Sequence, residues 1–233
     1  MGWFDRVFYS QYSNNWDDDV FRNIILGKIK KTDNLLDLGA GAGIIPQMNF
    51  RGKVFKVSGI DPDQRVVDNP YLDDGVVGVG ENLPYANDSF DVVIADNVLE
   101  HFEKPDAVFS EVRRVLKRNG LFIAKTPNKS HYVPLIARLS PHWFHEYVNK
   151  FRGRKEADTF PTFYKANSAN DIKHLASISG FDVIDINLIE GRPEYLRKIP
   201  VLNMIGLLYE RIVNSCDLFS NFRVLLVIIL KKR

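Results

Sequence analysis

Three glycines at two-residue spacing follow a short apolar run and an aspartate in LLDLGAGAG, residues 35–43. Gly39, Gly41 and Gly43 permit a tight strand-to-helix turn and let a ligand approach bare backbone, with Asp37 just before them and Ala40 among them. Ligands bind beyond the carboxyl ends of parallel strands, which is where such a turn falls. A second apolar run ends in GIDPD, residues 59–63. A carboxylate at Asp61 can accept hydrogen bonds from both hydroxyls of a ribose. Its competing use is to cap a following helix that has Pro62 in its first position. A third run, FDVVIAD, leads into Asn97, Glu100 and His101. Imidazole titrates near neutrality, so His101 is the general-base candidate, against a role in packing or capping the next helix. The glycine turn alone is also compatible with a bare turn that binds nothing.

The dinucleotide fingerprint GxGxxG would require a glycine at position 44, and the residue there is Ile44. Residues 33–128 instead resemble, in order and spacing, the class I S-adenosylmethionine (SAM)-dependent methyltransferases. ENLPYANDSFDVVIADNVLEHF, residues 81–102, resembles the subfamily that includes ubiquinone and menaquinone biosynthetic enzymes. That resemblance implies an α/β fold, a Rossmann-like three-layer sandwich whose mostly parallel seven-stranded sheet has an antiparallel last strand. It implies SAM as cofactor, with Asp37, Gly39, Ala40, Gly41 and Gly43 along its aminoacyl end and Asp61 and Pro62 at the ribose. Gly80, Glu81, Asn82 and Leu83 would line the adenine, and Asp96 and Asn97 would face the methionine part. Val79 stands where the family often has an aspartate for the adenine amino group, so Glu81 or Asn82 would take that contact. The implied reaction is direct displacement of the methyl group by an acceptor oxygen, nitrogen or carbon. Two other classes stay open: a nicotinamide-dependent oxidoreductase, and a SAM-binding module without catalysis.

The elements that must hold these residues show in the apolar pattern. Val20, Phe21, Ile24, Ile25 and Ile29 recur at helical spacing over 16–31, with Asp17, Asp18 and Asp19 in the first turn and Lys28, Lys30 and Lys31 expected in the last. Runs at 34–38, 54–60, 75–79, 90–95 and 121–126 suit strands buried on both faces. Helices are expected over 105–118, with Pro105 in its first turn and Gly120 as its stop, and over 168–179, between Ser168 and Gly180. Strands at 181–189 and 222–230 complete the alternation, which implies a parallel sheet with right-handed crossovers.

The chain of 233 residues reads as a single domain over 1–233, with an N-terminal lid or helix over 1–31 and insertions at 128–165 and 190–221 on the acceptor side. A formal net charge of +2 argues against nucleic acid as partner. A small-molecule, sugar or lipid-linked acceptor is expected. The start lacks a secretory signal, Arg6 breaks a myristoylation motif, and no apolar run reaches spanning length, so a cytoplasmic protein is expected. The single cysteine, Cys216, agrees with a reducing compartment. His131, His142 and His145 lack a completing carboxylate or cysteine set, so no metal is expected. Trp143, Phe144 and Tyr147 read as a cap near the acceptor. Trp3, Phe4, Phe8, Tyr9, Tyr12 and Trp16 read as a lid over the cofactor or as plain packing. The stretch 199–213 reads as a peripheral membrane contact, with Arg192, Arg197 and Lys198 before it and Arg211 in it, or as a buried helix or dimer contact. Oligomeric state is not readable.

Overall fold

A computed structural model describes residues 7–12, 15–139, 160–194 and 200–233. Its strands are β1 (Asn34–Leu38), β2 (Lys56–Asp61), β3 (Asp74–Val77), β4 (Phe90–Asp96), β5 (Leu116–Pro127), β6 (Phe181–Ile189) and β7 (Leu225–Lys232). Its helices of more than one turn are α1 (Trp16–Leu26), α2 (Pro105–Val115), α3 (Tyr132–Leu139), α4 (Ala169–Ser179) and α5 (Pro200–Ser215). The strands form one sheet in the order β3-β2-β1-β4-β5-β7-β6. All neighbours pair in parallel except β7, which is antiparallel to both β5 and β6. The architecture is the expected Rossmann-like α/β one.

Period-two alternation sends successive side chains of a strand to opposite faces, and both faces here are covered. On one, Leu36, Val93, Ala95, Phe122 and Ile228 pack with Val108, Phe109 and Val112 of α2 and Ile172 and Ala176 of α4. On the other, Leu35, Val92, Ile94, Ile123 and Val227 pack with Trp16, Phe21 and Ile25 of α1 and with Phe50 and Val66 from the loops. The unbroken run in β7 follows from its place inside the sheet, and β6 at the edge carries exposed positions. Ser168 caps α4 by accepting from the Asp171 N–H at 3.2 Å, and Gly180 ends it in the left-handed conformation.

The structure corrects several expectations. The glycine turn after β1 does not enter an α-helix; only a 3₁₀ turn, Pro46–Met48, lies between β1 and β2. A second 3₁₀ turn, Gln64–Asp68, stands between β2 and β3. Its cap is Asp63, whose side chain accepts from the Arg65 N–H, so Asp61 is not the capping residue. Helix α1 stops at Gly27, which leaves Lys28, Lys30 and Lys31 beyond its last turn. Helix α2 stops at Val115 because Leu116 already has extended backbone and opens β5. Gly120 therefore lies within an irregular stretch of that strand, where Asn119 has φ of 65°. The 128–165 and 190–221 segments contain α3 and α5. His142, Trp143, Phe144, His145, Tyr147, Trp3, Phe4, Arg197 and Lys198 lie outside the described residues.

Candidate functional site

The site forms where β1, β2 and β4 end together. The Gly39 and Ala40 N–H groups donate to the Ile60 carbonyl at 2.8 and 3.3 Å, so the glycine turn folds against the end of β2. The Gly41 N–H donates to Asp61 Oδ2 at 2.9 Å, and the Asp63 N–H donates to Asp61 Oδ1 at 2.8 Å. Each carboxylate oxygen has two lone-pair directions, so both keep capacity for an outside donor. Asn69 closes the turn from the other side, its Nδ2 donating to the Ala40 and Gly41 carbonyls at 2.9 and 3.2 Å. Gly39, Gly41 and Gly43 have φ of 80°, 52° and 69°, a region that favours glycine. A Cβ at Gly39 would overlap Val98 and one at Gly43 would overlap Asn69, whereas one at Gly41 meets nothing within 4 Å. Gly41 thus presents open backbone, and the other two are confined by neighbours.

Asp37 and Asp96 line one cavity with Gly39, Ala40, Gly43, Ile44, Ile45, Met48, Asn69 and Tyr71. Asp37 is 4% exposed, and burial, followed by the charges of Asp96 and Asp61, pushes its carboxyl up to about 8. Among the described residues no hydrogen bond reaches that carboxyl. The Asp96 side chain is 6% exposed. Its Oδ1 accepts from Asn97 Nδ2 at 2.9 Å and pairs with Lys125 Nζ at 2.9 Å, while its Oδ2 is buried without a partner. Burial pushes Asp96 up to about 6 against the opposing pull of Lys125. A buried carboxylate oxygen without a donor is costly, so Asp37 and the Oδ2 atom of Asp96 have acceptor capacity open to a group that brings positive charge.

The remaining sequence-predicted residues divide. Pro62 is exposed just past Asp61. Gly80 packs near Val108 and Leu38, and Glu81 and Asn82 follow it in a loop. Leu83 is buried in the core, its N–H donating to Glu111 at 2.9 Å and its carbonyl accepting from Arg114 at 2.8 Å. It anchors the 80–83 loop and presents no side chain to the cavity. Asn97 has φ of 53° and turns the chain sharply after β4. His101 lies in the 3₁₀ turn Leu99–His101, and its Nδ1 stands 2.7 Å from the Pro161 carbonyl. A carbonyl only accepts, so Nδ1 carries the proton and the Nε2 lone pair is left free to act as a base. Phe160 meets the ring edge-on at 5.9 Å. The preceding Glu100 is buried and accepts from the Thr126 hydroxyl at 2.8 Å, which fixes the turn that bears His101.

Comparison with known proteins agrees with this geometry. Residues 36–124 match the family described as "Methyltransferase domain". Over those residues the chain is similar to a methyltransferase domain. The uncharacterized methyltransferase YcgJ of Bacillus subtilis is 29% identical to this chain over 126 residues, a match covering 50% of this chain and 48% of YcgJ. The chain spans about half the length of the curated relatives it matches. Among solved structures, the [4+2]-cyclase SpnF superposes with a TM-score of 0.60 at 15% identity, covering 95% of this chain and 82% of SpnF. The geranyl diphosphate C-methyltransferase of Streptomyces coelicolor superposes with a TM-score of 0.59 at 13% identity, covering 94% and 80%. These two likenesses show a shared fold alone and leave the reaction to be argued from the site.

The residues of this site fit SAM on their own chemistry. Partnerless carboxylate oxygen at Asp96, a donor-free Asp37 and open backbone at Gly41 suit a ligand with an ammonium and a sulfonium. No α-helix begins at the glycine turn, so the helix dipole that would hold a pyrophosphate is missing there. Sequence reading missed Asn69, Tyr71 and Lys125. A lone Asn or Tyr in a loop carries no pattern, and a lysine at the end of an apolar strand reads as reaching for solvent.

Proposed function

We propose that the protein transfers the methyl group of SAM to an oxygen, nitrogen or carbon of a small-molecule, sugar or lipid-linked acceptor by direct displacement. The observation that carries this reading is the Asp37–Asp96 pair, two buried carboxyls at neighbouring strand ends with unused acceptor capacity. Bound there, SAM supplies a methyl group activated by its attachment to a sulfonium. Asp37 and Asp96 would receive the ammonium of its methionine end, and Gly39, Ala40, Gly41 and Gly43 would let that end lie against the turn. Asp61 would accept from the ribose hydroxyls beside Pro62, while Gly80, Glu81 and Asn82 would flank the adenine on the loop that Leu83 anchors, and Asn97 the methionine part. His101 Nε2 would take the proton that an acceptor hydroxyl or amine loses. Orientation and exclusion of water supply the rest of the rate.

A lipid-linked acceptor has one specific support. Helix α5 turns Asn203, Glu210 and Val213 inward and Met204, Ile205, Leu208 and Ile212 outward, with Met204 66% exposed and Leu208 63%. That outward side suits a peripheral contact with an apolar surface. Among the described residues no helix is long and apolar enough to cross a membrane. Calorimetry with S-adenosylhomocysteine (SAH) and with NAD, followed by transfer of radiolabelled methyl into fractions of a cell lysate, tests the proposal. SAH binding and label in a non-protein, non-nucleic-acid fraction are expected. NAD binding in place of SAH would return the oxidoreductase reading, and SAH binding without any transfer would leave a binding module.

A further inference from the structure

We propose that Lys125 is a positioning residue of the cofactor site, which holds one oxygen of Asp96 so that the other stays ionised and turned to the cofactor's ammonium, and which ties the acidic first turn of α1 to that site. This rests on the function proposed above.

Lys125 sits at the end of β5, directly opposite Asp96 in the parallel register of β4 and β5. Its side chain has no exposed surface. The ammonium reaches Asp96 Oδ1 at 2.9 Å, Asp17 Oδ2 at 3.2 Å and Asp18 Oδ1 at 2.5 Å, and lies 5.6 Å from the centre of the Phe21 ring. An ammonium has three donors and no lone pair, so with three carboxylate partners Lys125 is saturated and acts neither as base nor as nucleophile. A buried ion cluster is a poor way to attach a helix, since apolar residues of similar volume do it as well or better. Helix α1 is in any case attached by Trp16, Phe21 and Ile25. What the lysine does that an apolar residue cannot is bias the ionisation of its neighbours. Asp96 is faced by Asp17 and Asp18 from α1, by Asp37 from β1 and by Lys125 from β5. Asp61 acts on the group through Asp37, and Glu100 in the following turn also senses Lys125. Without Lys125 this acidic cluster would retain a proton on Asp96, and a neutral carboxyl binds an ammonium poorly. The pairing of Lys125 Nζ with Asp96 Oδ1 also explains why Asp96 Oδ2 is the atom left without a partner.

Two variants with opposite signs test this. Lys125→Met removes the cation; Asp17→Asn with Asp18→Asn removes two competing carboxylates and leaves Lys125 to Asp96. The titration midpoint of Asp96 is read by carboxyl ¹³C NMR in the unliganded protein, and SAH affinity is read by calorimetry across pH. Lys125→Met is expected to raise the midpoint by about one unit or more. It moves the acid limb of SAH affinity equally, so that affinity on that limb falls about tenfold for each pH unit the midpoint rises and recovers at higher pH. The double Asn variant lowers the midpoint and moves the acid limb the other way. A lysine that merely supports the fold would lower the melting temperature and leave both midpoints in place, and that result in the double variant alone overturns the proposal. If the unaltered protein binds no SAH, the proposed function falls and this inference falls with it. Unmoved midpoints beside intact SAH binding overturn this inference only.

Discussion

Asp61 has two jobs that one carboxylate can do together. It braces the turn by accepting from Gly41 and Asp63, and it offers its spare lone pairs to the ribose. Asp61→Asn keeps the shape, loses the charge and places a donor against an N–H. Affinity for SAH is expected to fall about 10- to 100-fold, the range of a charge-assisted hydrogen bond, as calorimetry would show. His101 is set up by one bond, from Nδ1 to the Pro161 carbonyl. His101→Gln is expected to lower kcat about 100-fold and to leave SAH affinity near its original value. Equal turnover in the variant would remove His101 from proton transfer. At this scale the sequence was half legible. Asp37, Asp61 and the glycines stand in a spacing that the fold demands. Asn69 and Lys125 take their roles from contacts across the fold, with Ala40 and Gly41 and with Asp96, that no local pattern encodes.

Among the elements, β1 and β6 coincide with their apolar runs because chain breakers bound both: Gly39 follows the first and Gly180 precedes the second. Neither the connection after β1 nor the one after β2 holds an α-helix. Pro46 and Gly52 interrupt one and Pro62 and Pro70 bound the other, so each holds only a 3₁₀ turn. The surface that a helix would cover after β1 is filled by Met48, Phe50 and Val54, packed with α1. The turn is therefore held by side chains rather than by a helix terminus, and Gly43 bears much of that. Gly43→Ala would place a Cβ against Asn69 on backbone with φ of 69°. It is expected to cost about 2 kcal/mol in urea unfolding, more than the conformational cost of a non-glycine residue at positive φ, because Asn69 must also give way.

For the whole molecule, buried acids set the response to pH. Burial, with Asp96 and Asp61, raises Asp37 to about 8, and burial with Glu210 raises Glu190 to about 8. Both hold protons in the folded state that the unfolded chain releases, so their contribution to stability is lost as pH rises toward 8. Burial lowers His131 from 6.5 to about 3, so its contribution is lost only as pH falls below 6.5. Between pH 6.5 and 8 the acids act without that opposition. The melting temperature of the unliganded protein is expected to fall across that window, and Asp37→Asn should flatten the fall in a series of thermal melts. The outward face of α5 gives a second test. Cosedimentation with anionic vesicles is expected, and Met204→Glu with Leu208→Glu should abolish it while the far-ultraviolet circular dichroism stays unchanged.

The place of β7 bears on how the molecule assembles. Leu225–Lys232 is the last strand in sequence, yet it lies between β5 and β6 and bonds to both. Until it arrives, those two strands offer bare backbone edges to any similar chain nearby. Refolding from denaturant should therefore pass through a sticky intermediate whose yield of native protein drops with concentration, and a synthetic Leu225–Lys232 peptide would compete for the vacant slot.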